Sequence, residues 1–280
     1  MNYIDLLKQS SDRFNSIVCL GLDPILEDIP LNNNSPFHKI KTFYQEILNK
    51  IIQKNIYPAA VKPNYAFYAQ YGIEGIQALL SICEMFKSEG LPIILDVKRG
   101  DIGTTAAAYA KESFQFFKAD AVTLSPFLGF DSIAPFIENY PNKGYYILNK
   151  TSNQSSNEIQ DLVTNGTPLY LIISQLIVQW YHPGIGAVVG ATYPEHLNRI
   201  TDVFLQSQTE IPYLIPGIGA QGGNLEEVIK ALKRTDIRIH RFSSSRSINY
   251  AYKKHTHLNF SDAAVKELSA LNNEINRLIG

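Results

Sequence analysis

Short apolar runs alternate with longer amphipathic stretches along the whole chain. Runs of strand length fall at 17–22, 58–62, 93–95, 121–124, 145–148, 187–189, 213–215 and 237–242. Residues 38–55 place Ile40, Phe43, Tyr44, Ile47, Leu48 and Ile51 at three- and four-residue spacings, the period of a helix with one buried face. Similar stretches follow at 73–87, 105–118, 132–139, 169–181, 195–205, 224–232 and 261–279. Eight strand–helix units predict an α/β fold, a TIM (β/α)8 barrel, ahead of an open doubly wound sheet. No break in composition divides the chain, so 1–280 is expected to form one domain. The longest interruption is the polar segment 152–166, which reads as a lid or substrate-binding loop.

Polar residues collect at one place in this pattern. Asp23, Lys62, Asp96, Lys98, Thr151 and Arg246 all stand at or just past the C-terminal end of an expected strand. In a barrel those ends form a single face, where active sites are built. The densest stretch runs from Pro92 to Thr105, where Ile93-Ile94-Leu95 leads into Asp96, Lys98 and Asp101. On a strand, positions i and i+2 point the same way, so Asp96 and Lys98 should share a side. Gly100 and Gly103 then break the strand, and Thr104 is expected to cap the next helix.

Lys62, Asp96, Lys98 and Asp101 together are neutral. Alternating contacts let such charges persist in a dry pocket, where each unpaired one would cost several kcal/mol. A carboxylate beside Lys98 holds it protonated, as a fixed cation and proton donor. Residues 216–223 contain a literal G-x-G-x-x-G. It follows the seventh strand, too late in the chain to open a dinucleotide-binding half. Either backbone N–H groups there, with the fork of Arg246 after strand eight, suit one phosphate, or the glycines serve only tight turns. Thr151, Ser152 and Asn153 either hydrogen-bond a polar ring or simply start a loop. Asp23 either binds a sugar hydroxyl or ends strand one before Pro24.

Composition removes several classes. The 280 residues carry a formal charge of −1, which gives no basic footprint for nucleic acid. No run is long enough to span a membrane, and the N-terminal residues do not read as a secretion signal. Cys19 and Cys83 have no metal or redox spacing and are expected to be free thiols in a reducing cytoplasm. The six histidines show no metal-binding pattern, so no metal is expected.

The motif Asp96-x-Lys98-x-x-Asp101-Ile102-x-x-Thr105 resembles the signature of the orotidine 5′-phosphate decarboxylase family. Four further elements agree in order along nearly the whole chain: Leu22-Asp23, Val61-Lys62-Pro63-Asn64, Pro216 to Gly223, and Ser245-Arg246. The wording of the 96–105 motif, with Lys150-Thr-Ser-Asn, is similar to the longer subgroup of that family. Ser245 departs from the shorter form, which has glycine before the phosphate-binding arginine.

The resemblance implies decarboxylation of orotidine 5′-monophosphate to UMP and carbon dioxide in pyrimidine biosynthesis, with no cofactor or metal. It implies that Asp96 faces the departing carboxylate and that Lys98 faces and protonates C6. Lys62 and Asp101 would complete the charged array. Asp101, Ile102 and Thr105 would come from the partner subunit of a homodimer. Asp23 and Asn64 would hold the ribose, Thr151 and Ser152 the pyrimidine, and Pro216, Gln221 and Arg246 the phosphate end. Two rivals remain. Sugar-phosphate decarboxylases or aldolases of the same superfamily resemble the D-x-K-x-x-D core but carry a carboxylate where Lys62 stands and use magnesium. A non-catalytic nucleotide-binding barrel would need a broken charge array.

Overall fold

A computed structural model describes residues 1–217 and 225–280. Eight parallel strands form one sheet: β1 Val18–Leu22, β2 Ala60–Pro63, β3 Ile94–Arg99, β4 Ala121–Leu124, β5 Gly144–Lys150, β6 Ile185–Val189, β7 Tyr213–Pro216 and β8 Arg241–Ser244. Their order is β2-β1-β8-β7-β6-β5-β4-β3. Single bridges, Val61 to Ile93 and Asn64 to Asp96, close β2 onto β3 and complete the barrel. The second of these bridges lies in the charged site itself.

Period-two alternation splits each strand into an outer and an inner face. Outward residues such as Leu20, Val61, Leu95, Val122 and Ile147 pack under the surrounding helices. Inward residues Cys19, Ala60, Ile94 and Ala121 form an apolar floor with Tyr146, Val188 and Leu214. One step of two along the same face gives Gly21, Lys62, Asp96 and Thr123. Floor and mouth are thus successive layers of one barrel interior.

The floor is sealed by a helix at Tyr3–Phe14 that the sequence reading leaves unassigned. Asn2 caps it, its side chain accepting from the Asp5 N–H, and Tyr3, Ile4 and Leu7 enter the floor cluster. The polar residues between its apolar positions dilute the pattern, although the three- and four-residue spacing and the cap are present.

Three further expectations shift. The eighth strand begins at Arg241 rather than at 237, because Ile237–Ile239 forms a 3-10 turn whose Arg238 N–H donates to the Asp236 side chain. The helix after β3 begins at Gly103, so Thr104 lies within it rather than capping it, and Ile102 at its N-cap makes no side-chain capping bond among the described residues. It runs to Lys111 and passes into a π-helical turn, Glu112–Phe116. Segment 152–166 is not an unstructured loop. It contains a 3-10 turn at Gln154–Ser156, a helical turn at Asn157–Gln160, and the first strand of a small hairpin pairing Val163–Thr164 with Thr167–Pro168. Among the described residues no helix is long and apolar enough to cross a membrane. Cys19 and Cys83 are buried and free.

Candidate active site

Asp96 is the hub of the mouth. Its Oδ1 accepts from Lys98 Nζ at 2.6 Å and from Thr123 Oγ1 at 2.9 Å. Its Oδ2 accepts from Lys62 Nζ at 2.9 Å and from Asn64 Nδ2 at 3.5 Å. Four donors surround the carboxylate, as many as its lone pairs accommodate, so its orientation is fixed. Burial alone would raise the Asp96 carboxyl; Lys62 and then Lys98 outweigh it and hold the group well below the usual carboxylate range. Burial likewise opposes the charge on Lys62, but Asp96 and Asp23 outweigh it and raise its pKa. The buried pair is therefore ionised at neutral pH.

Lys98 is placed differently from Lys62. Lys62 is buried, whereas the Lys98 side chain is 50% exposed and reaches toward open space. The backbone at Lys98 has φ of +46°, and the β3–β4 register shifts between Leu95 and Arg99. Asp96 and Lys98 do meet, as the i, i+2 spacing predicts, but across a bulge in a left-handed conformation that costs a non-glycine residue energy. Thr123 holds this bulge. Its hydroxyl accepts the N–H groups of Val97 at 3.1 Å and Lys98 at 2.9 Å while donating to Asp96. All its bonding capacity is used. Thr123 is absent from the sequence-based site, yet it was legible as the only polar residue of 121–124, on the same strand face as Ala121.

Asp101 lies apart from this array. Its Oδ1 accepts the N–H of Ile102, and among the described residues it makes no ion pair. Ile102 and Thr105 are exposed beside it. Asn64 also caps the short helix Tyr65–Ala69, its Oδ1 accepting the Ala66 N–H at 3.2 Å. Asp23 keeps a buried Oδ1 that has no hydrogen-bond partner among the described residues.

A cavity of about 430 Å³ opens over the array, lined in part by Lys62, Asp96, Lys98, Thr123, Thr151, Ser152, Gln160 and Pro216. Gly190 lets the β5 end approach β6, since a Cβ there would lie 2.7 Å from Ser152 Cβ. Arg246 is exposed at the start of a helical turn, Arg246–Asn249. Ser245, the departure from the shorter family form, fits because Gly21 faces it; a Cβ at 21 would lie 2.6 Å from Ser245 Cβ. Gln221 and most of the 216–223 glycine motif lie outside the described residues. Among the described residues no three His, Cys, Asp or Glu side chains cluster as metal ligands.

The geometry agrees with what the chain resembles. Residues 16–257 match the family model described as orotidine 5′-phosphate decarboxylase / HUMPS family. The orotidine 5′-phosphate decarboxylase of Ralstonia nicotianae is 37% identical over 281 residues, covering 99% of both chains. The structure of Leishmania donovani OMP decarboxylase superimposes with a TM-score of 0.79 at 32% identity, covering 99% of both chains. Leishmania donovani UMP synthase gives a TM-score of 0.80 at 36% identity, covering 99% of this chain and 57% of that one. A match spanning most of the chain, with full-length relatives above 30% identity, places this protein in the orotidine 5′-phosphate decarboxylase / HUMPS family.

Proposed function

We propose that the chain converts orotidine 5′-monophosphate to UMP and carbon dioxide in de novo pyrimidine biosynthesis, without cofactor or metal. The observation that carries this reading is the Lys62–Asp96–Lys98 array beneath the cavity, built on the ionised Lys62–Asp96 pair. Breaking the C6–carboxylate bond leaves its electron pair on C6, in an orbital that the ring π-system does not delocalise. The charge must then be stabilised by a cation already in place. Lys98 Nζ provides that cation and donates a proton to C6, completing UMP; solvent reprotonates the amine. Asp96 faces the departing carboxylate, and its repulsion with that group is relieved as neutral carbon dioxide leaves.

Asp23 and Asn64 hold the ribose, a role supported by the buried Asp23 oxygen that has no hydrogen-bond partner among the described residues. Thr151 and Ser152 hold the pyrimidine, while Pro216, Gln221 and Arg246 serve the phosphate end. We further infer a cytoplasmic homodimer in which Asp101, Ile102 and Thr105 reach the partner subunit's site. Support comes from the separation of Asp101 from its own array and from exposed Ile102, Phe127, Leu128 and Phe130 at the ends of β3 and β4. Free cysteines support the reducing compartment. Lys62, bonded to Asp96, favours this reaction over that of the magnesium-dependent sugar-phosphate relatives.

The test is carbon dioxide release from orotidine 5′-monophosphate by purified protein with EDTA present. Turnover is expected. Its absence, alongside tight UMP binding, would leave a nucleotide-binding barrel and reject catalysis.

A further inference from the structure

We propose that Gln160 is a positioning residue that sets which hydrogen-bonding edge of a pyrimidine the cavity accepts. The inference rests on the reading of this cavity as the nucleotide site.

Gln160 and Thr151 both line the cavity and are joined by two hydrogen bonds. The Thr151 N–H donates to Gln160 Oε1 at 2.9 Å, and Gln160 Nε2 donates to Thr151 Oγ1 at 2.9 Å. A backbone N–H can only donate, so the first bond fixes which end of the amide is oxygen. The nitrogen end must then face the threonine hydroxyl. That hydroxyl passes its own hydrogen to Asn153 Oδ1 at 2.7 Å. A hydroxyl has one hydrogen and two lone pairs. With the hydrogen and one lone pair committed, and the backbone N–H also committed, the Thr151 hydroxyl offers a ligand a single acceptor site and the residue offers no donor. An acceptor meets an N–H. A uracil-type ring presents N3–H on its edge, whereas a cytosine-type ring presents a bare nitrogen at that position.

The clamp is itself anchored. Lys150 precedes Thr151 and Asp161 follows Gln160, and these two form an ion pair at 2.8 Å with Lys150 almost wholly buried. Lys150 Nζ also reaches the buried Ser156 Oγ at 3.4 Å. Two consecutive residues of the strand end are thus tied to two consecutive residues of segment 152–166, so Gln160 does not depend on the ligand for its position.

The experiment compares binding of UMP, CMP and ribose 5-phosphate by calorimetry to wild type, Gln160→Leu and Asn153→Ala. Wild type is expected to prefer UMP over CMP. Gln160→Leu should weaken UMP by about three- to tenfold, the effect of a lost neutral hydrogen bond or two, and narrow the UMP/CMP ratio by a similar factor. Ribose 5-phosphate, which lacks the ring, should bind the variant as it binds wild type. Equal weakening of all three ligands would make Gln160 merely structural and overturn the proposal. Asn153 is exposed, so its replacement tests the same point should Gln160→Leu not fold. Removing that acceptor frees the Thr151 hydrogen, and CMP should gain on UMP. An unchanged ratio overturns the proposal. Wild type that releases carbon dioxide from orotidine 5′-monophosphate but does not distinguish UMP from CMP rejects this inference alone. Wild type that distinguishes them without turnover rejects the catalytic reading and keeps this one.

Discussion

The mouth and the floor of the barrel lie one inward-facing layer apart, and both hold buried charge. At the floor, Arg241 is fully buried, and among the described residues it pairs with no carboxylate. Its guanidinium donates to the carbonyls of Leu7 at 2.7 Å, Arg238 at 2.9 Å and His240 at 2.7 Å. The bond to Leu7 ties the N-terminal helix to the barrel, and the Tyr3 hydroxyl meets that of Tyr146 nearby. At the mouth, two lysines bind one carboxylate, and one of them remains half exposed to the cavity. Floor polarity is turned to the protein itself, although among the described residues the buried Arg241 Nε has no hydrogen-bond partner. Mouth polarity keeps a cation free to meet a ligand. Buried charge alone does not mark a site; a charge with bonding capacity left toward open space does.

Asp96→Ala should have the largest effect, because it strikes both functions of the mouth. It leaves Lys62 buried without its counter-ion, at a cost of about 3–5 kcal/mol, and releases Lys98 from its position. Denaturant unfolding and carbon dioxide release should both report the loss. A variant as stable as wild type would mean that the Asp96–Lys62 pair is not the buried unit described.

Arg241→Leu should separate the two layers. Stability should fall by about 2–4 kcal/mol as the helix loses its tie and carbonyls lose their donors. Turnover by the fraction that remains folded should stay within a few-fold of wild type. A large fall in kcat at low temperature, with the fold intact, would break the division between floor and mouth.

Between pH 7 and 5, His240 gives the smallest effect, with a pH signature. Its Nδ1 accepts the Tyr213 N–H at 3.1 Å, so Nε2 carries the proton and donates to Thr235 Oγ1 at 2.6 Å. Burial, and then the neighbouring Arg241, lower its pKa to about 3. An unfolded histidine titrates near 6.5, at roughly the usual value. Between these values the unfolded chain binds a proton that the folded chain refuses. Stability should therefore fall as pH drops from about 6.5 toward about 3, by up to about 1.4 kcal/mol per unit. Between pH 7 and 5, His240→Gln should flatten that slope; an unchanged slope would show that His240 is not the neutral, buried group.

Much of this contrast was legible from spacing. Strand ends carrying Lys62, Asp96 and Lys98 identified one face of a barrel, because alternation and a change from apolar to charged residues are local properties. The floor helix was missed because Tyr3, Ile4 and Leu7 are few and set among polar residues; only the barrel end they cover makes them a core. Strand eight was displaced because Ile237 and Ile239 read as strand, while the Asp236 side chain turns that backbone. The Lys98 bulge and the Thr123 brace depend on a neighbouring strand. So does the clamp of Gln160 on Thr151, since no spacing within one segment announces a hydrogen bond made between two.

The central claim is that Lys98, held by Asp96 but open to the cavity, delivers the proton. It is tested most directly by measuring kcat and Tm together for Lys98→Ala. Loss of a fixed cation and proton donor should lower kcat by at least about 10³-fold. Tm should stay within a few degrees of wild type, because the side chain is half exposed and contributes little packing. A kcat within about tenfold of wild type, with the fold intact, would contradict the assignment and move the proton donor elsewhere.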